Sequence, residues 1–97
     1  MLTRDRICET LRIVAPQYEI DEVYLFGSHA RGDANEESDC DFRIVGGNIP
    51  SLFELGGLYE DLISSLGCQV DIVLSDSMSR PFHEQIRDEE VLVYAKV

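Results

Sequence analysis

The residues best suited to chemistry form two short clusters. Gly27 and Ser28 are adjacent, and after a gap of ten residues Asp39 and Asp41 flank a single cysteine. A third carboxylate, Asp71, follows in a later apolar run. Glycine lets a backbone approach a phosphate closely, and carboxylate and phosphate oxygens are typical ligands of Mg²⁺. A phosphate cradle combined with three metal-binding carboxylates predicts nucleotidyl transfer.

Apolar periodicity predicts the elements that would position these clusters. Helical spacing alternates along the chain with short β-branched or aromatic runs that are typical of strands. A capping box at Ser51 and Glu54 begins the longest helix, and Gly67 ends it. This order predicts an α/β (α+β) domain, with a small mixed β-sheet of about four strands and flanking helices. The predicted helices are 3–14, a brief one through 30–31, 51–66 and one from 81; the predicted strands are 22–26, 39–45, 70–74 and 91–94.

The strand predicted over 39–45 places both aspartates on one face of the sheet. Side chains alternate along a strand, so Asp39, Asp41 and Arg43 would point to the side opposite the apolar residues between them. Asp71 would join them if its strand lies beside this one. We therefore predict Asp39, Asp41 and Asp71 as the catalytic and metal-binding residues, holding two Mg²⁺ ions about 3.5–4 Å apart.

The turn at Gly27 and Ser28 is predicted to bind the nucleotide. A strand-to-helix turn presents unpaired N–H groups to a phosphate, and the serine hydroxyl adds a further donor. Arg31 lies one helical turn further on, and Arg43 shares the face of the aspartates. Either arginine could offset phosphate charge, although Arg31 could instead pair with an acid in the loop that follows.

Composition restricts the class of protein. The 97 residues include 19 acidic and only 8 basic side chains, for a net charge of −11. This charge argues against direct nucleic-acid binding, which needs clustered basic residues, and favours a basic partner. The chain is expected to form a single domain over 1–97, with no membrane span and no signal peptide. Cys8, Cys40 and Cys68 lack C-x-x-C spacing, which favours packed, reduced thiols in a cytoplasmic protein.

These motifs resemble those of the minimal nucleotidyltransferases of the DNA polymerase β superfamily. The resemblance lies in Gly-Ser-His-Ala-Arg-Gly-Asp-Ala over 27–34, Ser-Asp-Cys-Asp over 38–41 and Val-Asp-Ile-Val over 70–73. It extends over almost the whole chain, and all three carboxylates of the family's metal site are present.

The resemblance implies a function as well as a fold. Members of this size are commonly antitoxins of type VII-like toxin–antitoxin pairs. They transfer AMP from ATP, with Mg²⁺, to a tyrosine of a HEPN ribonuclease toxin. By position, Asp39 and Asp41 would bind the metals, and Asp71 would complete the site and help deprotonate the attacking hydroxyl. Gly27 and Ser28 would hold the triphosphate.

Two other functions are compatible with the sequence. The chain could be a non-catalytic binding module that masks the toxin by contact alone. It could also transfer a nucleotide to a small molecule or to a nucleic-acid end. The acidic charge and the lack of recognisable substrate-binding segments weigh against this last alternative.

Overall fold

Four strands form one mixed sheet in the computed structural model, which describes residues 2–96. The strand order is β3-β2-β1-β4; β1 is antiparallel to both β2 and β4, and β2 is parallel to β3. Every helix in this range is shorter or more polar than a transmembrane segment requires. The helices are α1 (Arg4–Val14), α2 (Ser28–Arg31), α3 (Leu52–Leu66) and α4 (Arg80–Ile86), and the strands are β1 (Ile20–Phe26), β2 (Cys40–Gly46), β3 (Val70–Leu74) and β4 (Val91–Ala95).

The predicted fold class is therefore confirmed, and the element bounds shift by at most a few residues. Thr3 caps α1, because its side chain accepts a hydrogen bond from the Arg6 N–H. Ser51 caps α3 in the same way, by accepting from the Phe53 N–H, and its hydroxyl also donates to Glu54, so the predicted start of this helix is confirmed. β2 begins at Cys40, which leaves Asp39 just before the strand. Short 3-10 turns over Ala15–Tyr18 and Ser75–Ser77 were not predicted.

One face of the sheet builds the core against α1 and α3. The inward residues of β2 pack in a single cluster with apolar residues of both helices. Strict alternation along β2 then directs its polar residues, Asp41 and Arg43, to the opposite face. The core therefore determines which face carries the candidate chemistry. The fully buried side chains of this cluster include Ile7, Leu11, Val23, Leu25, Cys40, Phe42, Ile44, Leu58 and Leu62.

Candidate active site

The turn between β1 and α2 is formed by Gly27. Its φ of 77° and ψ of −157° lie in a region that is essentially restricted to glycine. A Cβ built on Gly27 would lie 2.1 Å from Oδ2 of Asp41, far inside van der Waals contact. The turn predicted to hold phosphate therefore packs directly against one of the carboxylates predicted to hold metal.

The carboxylates meet because β2 and β3 are parallel neighbours. Asp41 is paired in register with Asp71, and in-register neighbours on adjacent strands lie about 4.8 Å apart. Burial raises the pKa of the Asp41 carboxyl, and the negative charges of Asp71 and then Asp39 raise it further. Among residues 2–96, however, no three such side chains are already gathered into a metal-binding arrangement. The structure thus places Asp41 beside Asp71, but within the described range it does not arrange three ligands around one metal position.

An open cleft of about 510 Å³ lies in front of these groups. Four of the predicted site residues line it: Gly27, Ser28, Arg31 and Asp41. The opposite wall comes from α4 and the turn that follows it, which the sequence did not indicate as part of the site. Phe82 on this wall packs edge-on against Phe26, with ring centroids 5.9 Å apart, and so fixes α4 beside the end of β1.

Arg31 lies in the cleft and is paired with two acids. Its Nε donates to Asp33 at 3.3 Å, and Nη1 donates to Glu89 at 3.1 Å. These hydrogen bonds, that to Glu89 first, raise the pKa of the guanidinium. The predicted pairing with a loop acid is therefore present, but other N–H donors of the guanidinium remain free for a phosphate.

Glu89 is a site residue that the sequence did not reveal. One carboxylate oxygen accepts the Gly27 N–H at 3.1 Å, and the other accepts from Arg31 at 3.1 Å. The same side chain therefore holds both the phosphate turn and the nearby cation in place. No sequence motif marks it, because Gly27 and Glu89 are separated by 62 positions and meet only through the sheet.

We expect Glu89→Ala to raise the KM for ATP about 10-fold while kcat changes less, because two charge-assisted contacts that order the turn are lost. Glu89→Gln keeps an acceptor for the Gly27 N–H and should stay within about 3-fold of wild type. Steady-state AMP-transfer kinetics provide the measurement, and Asp88→Ala, at the exposed neighbouring position, is the control. Unchanged or tighter ATP binding by Glu89→Ala would contradict the role of Glu89 in ordering the Gly27 turn.

Arg43 is held away from the cleft. Its Nε and Nη2 donate to Glu90 at 2.5 and 3.0 Å, and Nη1 donates to Ser75 at 2.6 Å. The guanidinium also lies 4.3 Å from the ring centroid of Tyr24. Arg43 does not line the cleft, so these contacts give no support to its predicted role in nucleotide binding. They indicate instead that Arg43 joins β2 to the segment before β4.

We expect Arg43→Met to lower the free energy of unfolding by about 3 kcal/mol, because it leaves a buried carboxylate unpaired. The Glu90 side chain is only 6% exposed, and its other neighbour, the His83 imidazole, lies 3.6 Å away. Removing both charges in Arg43→Met/Glu90→Leu should restore most of this loss. Urea unfolding measures both variants, and a single variant within about 1 kcal/mol of wild type would contradict a structural role for the pair.

Comparison with known proteins agrees with this geometry. The family model described as Polymerase beta, Nucleotidyltransferase matches residues 9–97. Protein adenylyltransferase MntA of Thermococcus cleftensis is 35% identical over 77 residues, which are 79% of this chain and 78% of that protein.

Solved structures share the fold over nearly the whole chain. A toxin-antitoxin structure with AMP-PNP superposes with a TM-score of 0.77 at 25% identity, over 98% of this chain and 75% of that one. A tri-AMPylated Shewanella oneidensis HEPN toxin in complex with MNT antitoxin gives a TM-score of 0.67 at 22% identity, over 96% and 70% of the chains. At that identity, the second likeness shows the fold alone.

Proposed function

The chain belongs to the polymerase beta nucleotidyltransferase family, and we propose that it is an antitoxin that transfers AMP from ATP to a tyrosine of a HEPN ribonuclease toxin. The observation that carries the proposal is that Asp41, which is paired in register with Asp71, packs against the Gly27 turn at one open cleft. The name of the Thermococcus relative, a protein adenylyltransferase, supports the reaction class. The toxin-antitoxin structure with AMP-PNP supports the kind of partner and the nucleotide.

The three carboxylates suit divalent metal. Asp39, Asp41 and Asp71 offer only oxygen ligands, the type that Mg²⁺ prefers. Burial, and then the charges of Asp71 and Asp39, raise the pKa of Asp41, and a bound cation would offset this cost to its ionised form. We propose that these residues hold two Mg²⁺ ions, which would supply electrostatic stabilisation of the phosphates.

Other residues of the candidate site would position ATP and the acceptor tyrosine of the toxin. The Gly27 turn and the Ser28 hydroxyl would bind phosphate oxygens of ATP, and Arg31 would balance their charge. Asp71 is exposed and lies on β3, an edge strand of the sheet, so a side chain from another protein can reach it. A carboxylate oxygen of Asp71 would take the proton from the tyrosine hydroxyl, whose oxygen attacks the α-phosphorus of ATP as the bond to the leaving pyrophosphate breaks.

Two properties of the whole chain support a protein partner in the cytoplasm. The net charge of −11 would complement a basic, RNA-binding toxin surface. All three cysteines are free thiols, as expected in a reducing compartment. We also propose that residues 1–97 act as one domain, a proposal that the single core cluster supports.

Mass spectrometry of the toxin tests the proposal directly. The purified antitoxin is incubated with its HEPN toxin, ATP and Mg²⁺, and the mass of the toxin is measured. We expect the toxin to gain the mass of AMP, with the modification on a tyrosine, and to gain nothing when EDTA removes the metal. Neutralised toxin with no added mass would contradict the catalytic proposal and favour masking by contact alone.

A further inference from the structure

Two of the three free thiols lie side by side at the start of β2. The Sγ atoms of Cys40 and Cys68 are 3.6 Å apart. Cys40 is fully buried, whereas Cys68 is half-buried in the turn between α3 and β3. Neither thiol has a part in the proposed transfer reaction, so their proximity requires its own explanation.

The backbone holds the two cysteines on neighbouring segments of the chain. The Cys40 N–H donates to the Gln69 carbonyl at 3.0 Å, which holds the start of β2 beside the residue that follows Cys68. The next residue, Val70, is the register partner of Cys40. A disulfide needs the two sulfur atoms to approach to about 2.05 Å, so each would move by less than about 1 Å.

The two thiols differ in their access to solvent. Cys68 lines an open cavity of about 550 Å³, on the side of the molecule formed by the N-terminal turn of α1 and the end of α3. A peroxide molecule can reach Cys68 through this cavity, whereas Cys40 lies buried behind it. This arrangement suits Cys68 as the attacking cysteine and Cys40 as the resolving cysteine.

We propose that Cys40 and Cys68 are a redox modification site that forms a reversible disulfide with hydrogen peroxide as the oxidant. The Cys68 thiol loses its proton, and the thiolate attacks one peroxide oxygen. The O–O bond breaks, Cys68 sulfenic acid forms, and the departing hydroxide takes up that proton and leaves as water. The Cys40 thiol then attacks the Cys68 sulfur, the S–O bond breaks, and the oxygen leaves as water. In sum, two thiols and one peroxide give one disulfide and two waters, and a thiol reductant reverses the oxidation.

The disulfide would act on the candidate active site through the backbone. Cys40 lies between Asp39 and Asp41, so a shift of Cys40 toward Cys68 moves the attachment points of both carboxylates. A displacement of about 1 Å at such a site can cost about 10²-fold in rate. This consequence rests on the proposed function, and we expect oxidised protein to transfer AMP about 10- to 100-fold more slowly, with recovery on reduction.

The test treats reduced protein with hydrogen peroxide, unfolds it in guanidinium chloride so that buried thiols are accessible, traps the remaining thiols with N-ethylmaleimide and measures the intact mass. We expect a single maleimide, on Cys8, and non-reducing peptide maps that link Cys40 to Cys68. Because this readout needs neither nucleotide nor partner, it is independent of the transferase assay. Failure of the disulfide and failure of the proposed function are therefore distinguishable.

Serine variants supply the controls. Cys8→Ser should still form the disulfide, whereas Cys68→Ser should form none and should keep its AMP-transfer rate after peroxide treatment. Cys68→Ser is preferred to Cys40→Ser, because a hydroxyl at the fully buried position could prevent folding. The proposal is overturned if peroxide leaves three reactive thiols or if Cys68 accumulates as sulfinic acid without a disulfide. It is also overturned if the disulfide-bonded protein transfers AMP as fast as the protein with free thiols.

Discussion

We expect Asp41→Asn to reduce AMP transfer to the toxin by at least about 10³-fold, equivalent to about 4 kcal/mol of lost transition-state stabilisation. Asp41 is the carboxylate at the centre of the candidate site. It lies beside Asp71 in the sheet register and against the Gly27 turn in the cleft. An amide at this position retains the shape of the side chain but removes the charge that would hold a cation.

The same substitution should not destabilise the fold. Burial and the charges of Asp71 and Asp39 raise the pKa of Asp41, so its ionised form is disfavoured in the folded protein. Replacing it with a neutral amide removes this repulsion, and the thermal midpoint should stay unchanged or rise. Loss of activity in a protein of undiminished stability would then report on chemistry rather than on folding.

Asp76→Asn is the matched control for this prediction. It makes the same chemical change at an exposed position in the 3-10 turn beyond the far end of β3. We expect its rate of AMP transfer, measured by mass spectrometry of the toxin, to stay at the wild-type value. Transfer by Asp41→Asn within about 10-fold of wild type would contradict the assignment. Full neutralisation of the toxin by an inactive Asp41→Asn protein would show that contact alone suffices.

Gly27→Ala is expected to lower AMP transfer by about 10²- to 10³-fold and to cost about 1–3 kcal/mol of stability. The backbone at Gly27 adopts a conformation that other residues rarely reach. The new Cβ would also lie 2.1 Å from Oδ2 of Asp41, so either the turn or the carboxylate has to move. Both groups belong to the candidate site, which is why one methyl group should have so large an effect.

Gly32→Ala separates the effect of a positive φ from the effect of the contact with Asp41. Gly32 also has a positive φ, 85°, but a Cβ there would meet nothing within 4 Å. This variant should lose about 1 kcal/mol of stability and almost none of its rate. Transfer rates of both variants, measured well below their thermal midpoints, provide the test. Equal losses of rate in the two would show that the contact with Asp41 is unimportant.

Local sequence was sufficient to predict most of the elements. The capping box at Ser51, the glycine that ends α3 and the alternation along β2 each depend on neighbours within a few positions. Patterns over a few neighbouring residues likewise predicted that Asp41 lies on the face opposite the core and that Gly27 forms a strand-to-helix turn. The family resemblance carried by these motifs is likewise confirmed by the family model over 9–97.

The partners of the site residues could not be predicted from local sequence, because they lie far away along the chain. Asp71 could be assigned to the site only on the condition that its strand lies beside β2, and the sheet order meets that condition. Glu89 and Glu90 are separated by many residues from the arginines that they bind, and no periodicity links them. Arg43 therefore lies on the same face of the sheet as the aspartates, but its guanidinium donates hydrogen bonds to Glu90 and Ser75.

The chemistry of this protein was thus readable in its residue types and their spacing, because glycine, serine and aspartate act through local backbone geometry. Which acids become neighbours, which arginine lines the cleft and which thiols lie side by side were decided only when β3 packed parallel to β2 and β4 packed beside β1. Strand order depends on the burial of one shared core, to which residues from the whole chain contribute. No short stretch of sequence contains that information.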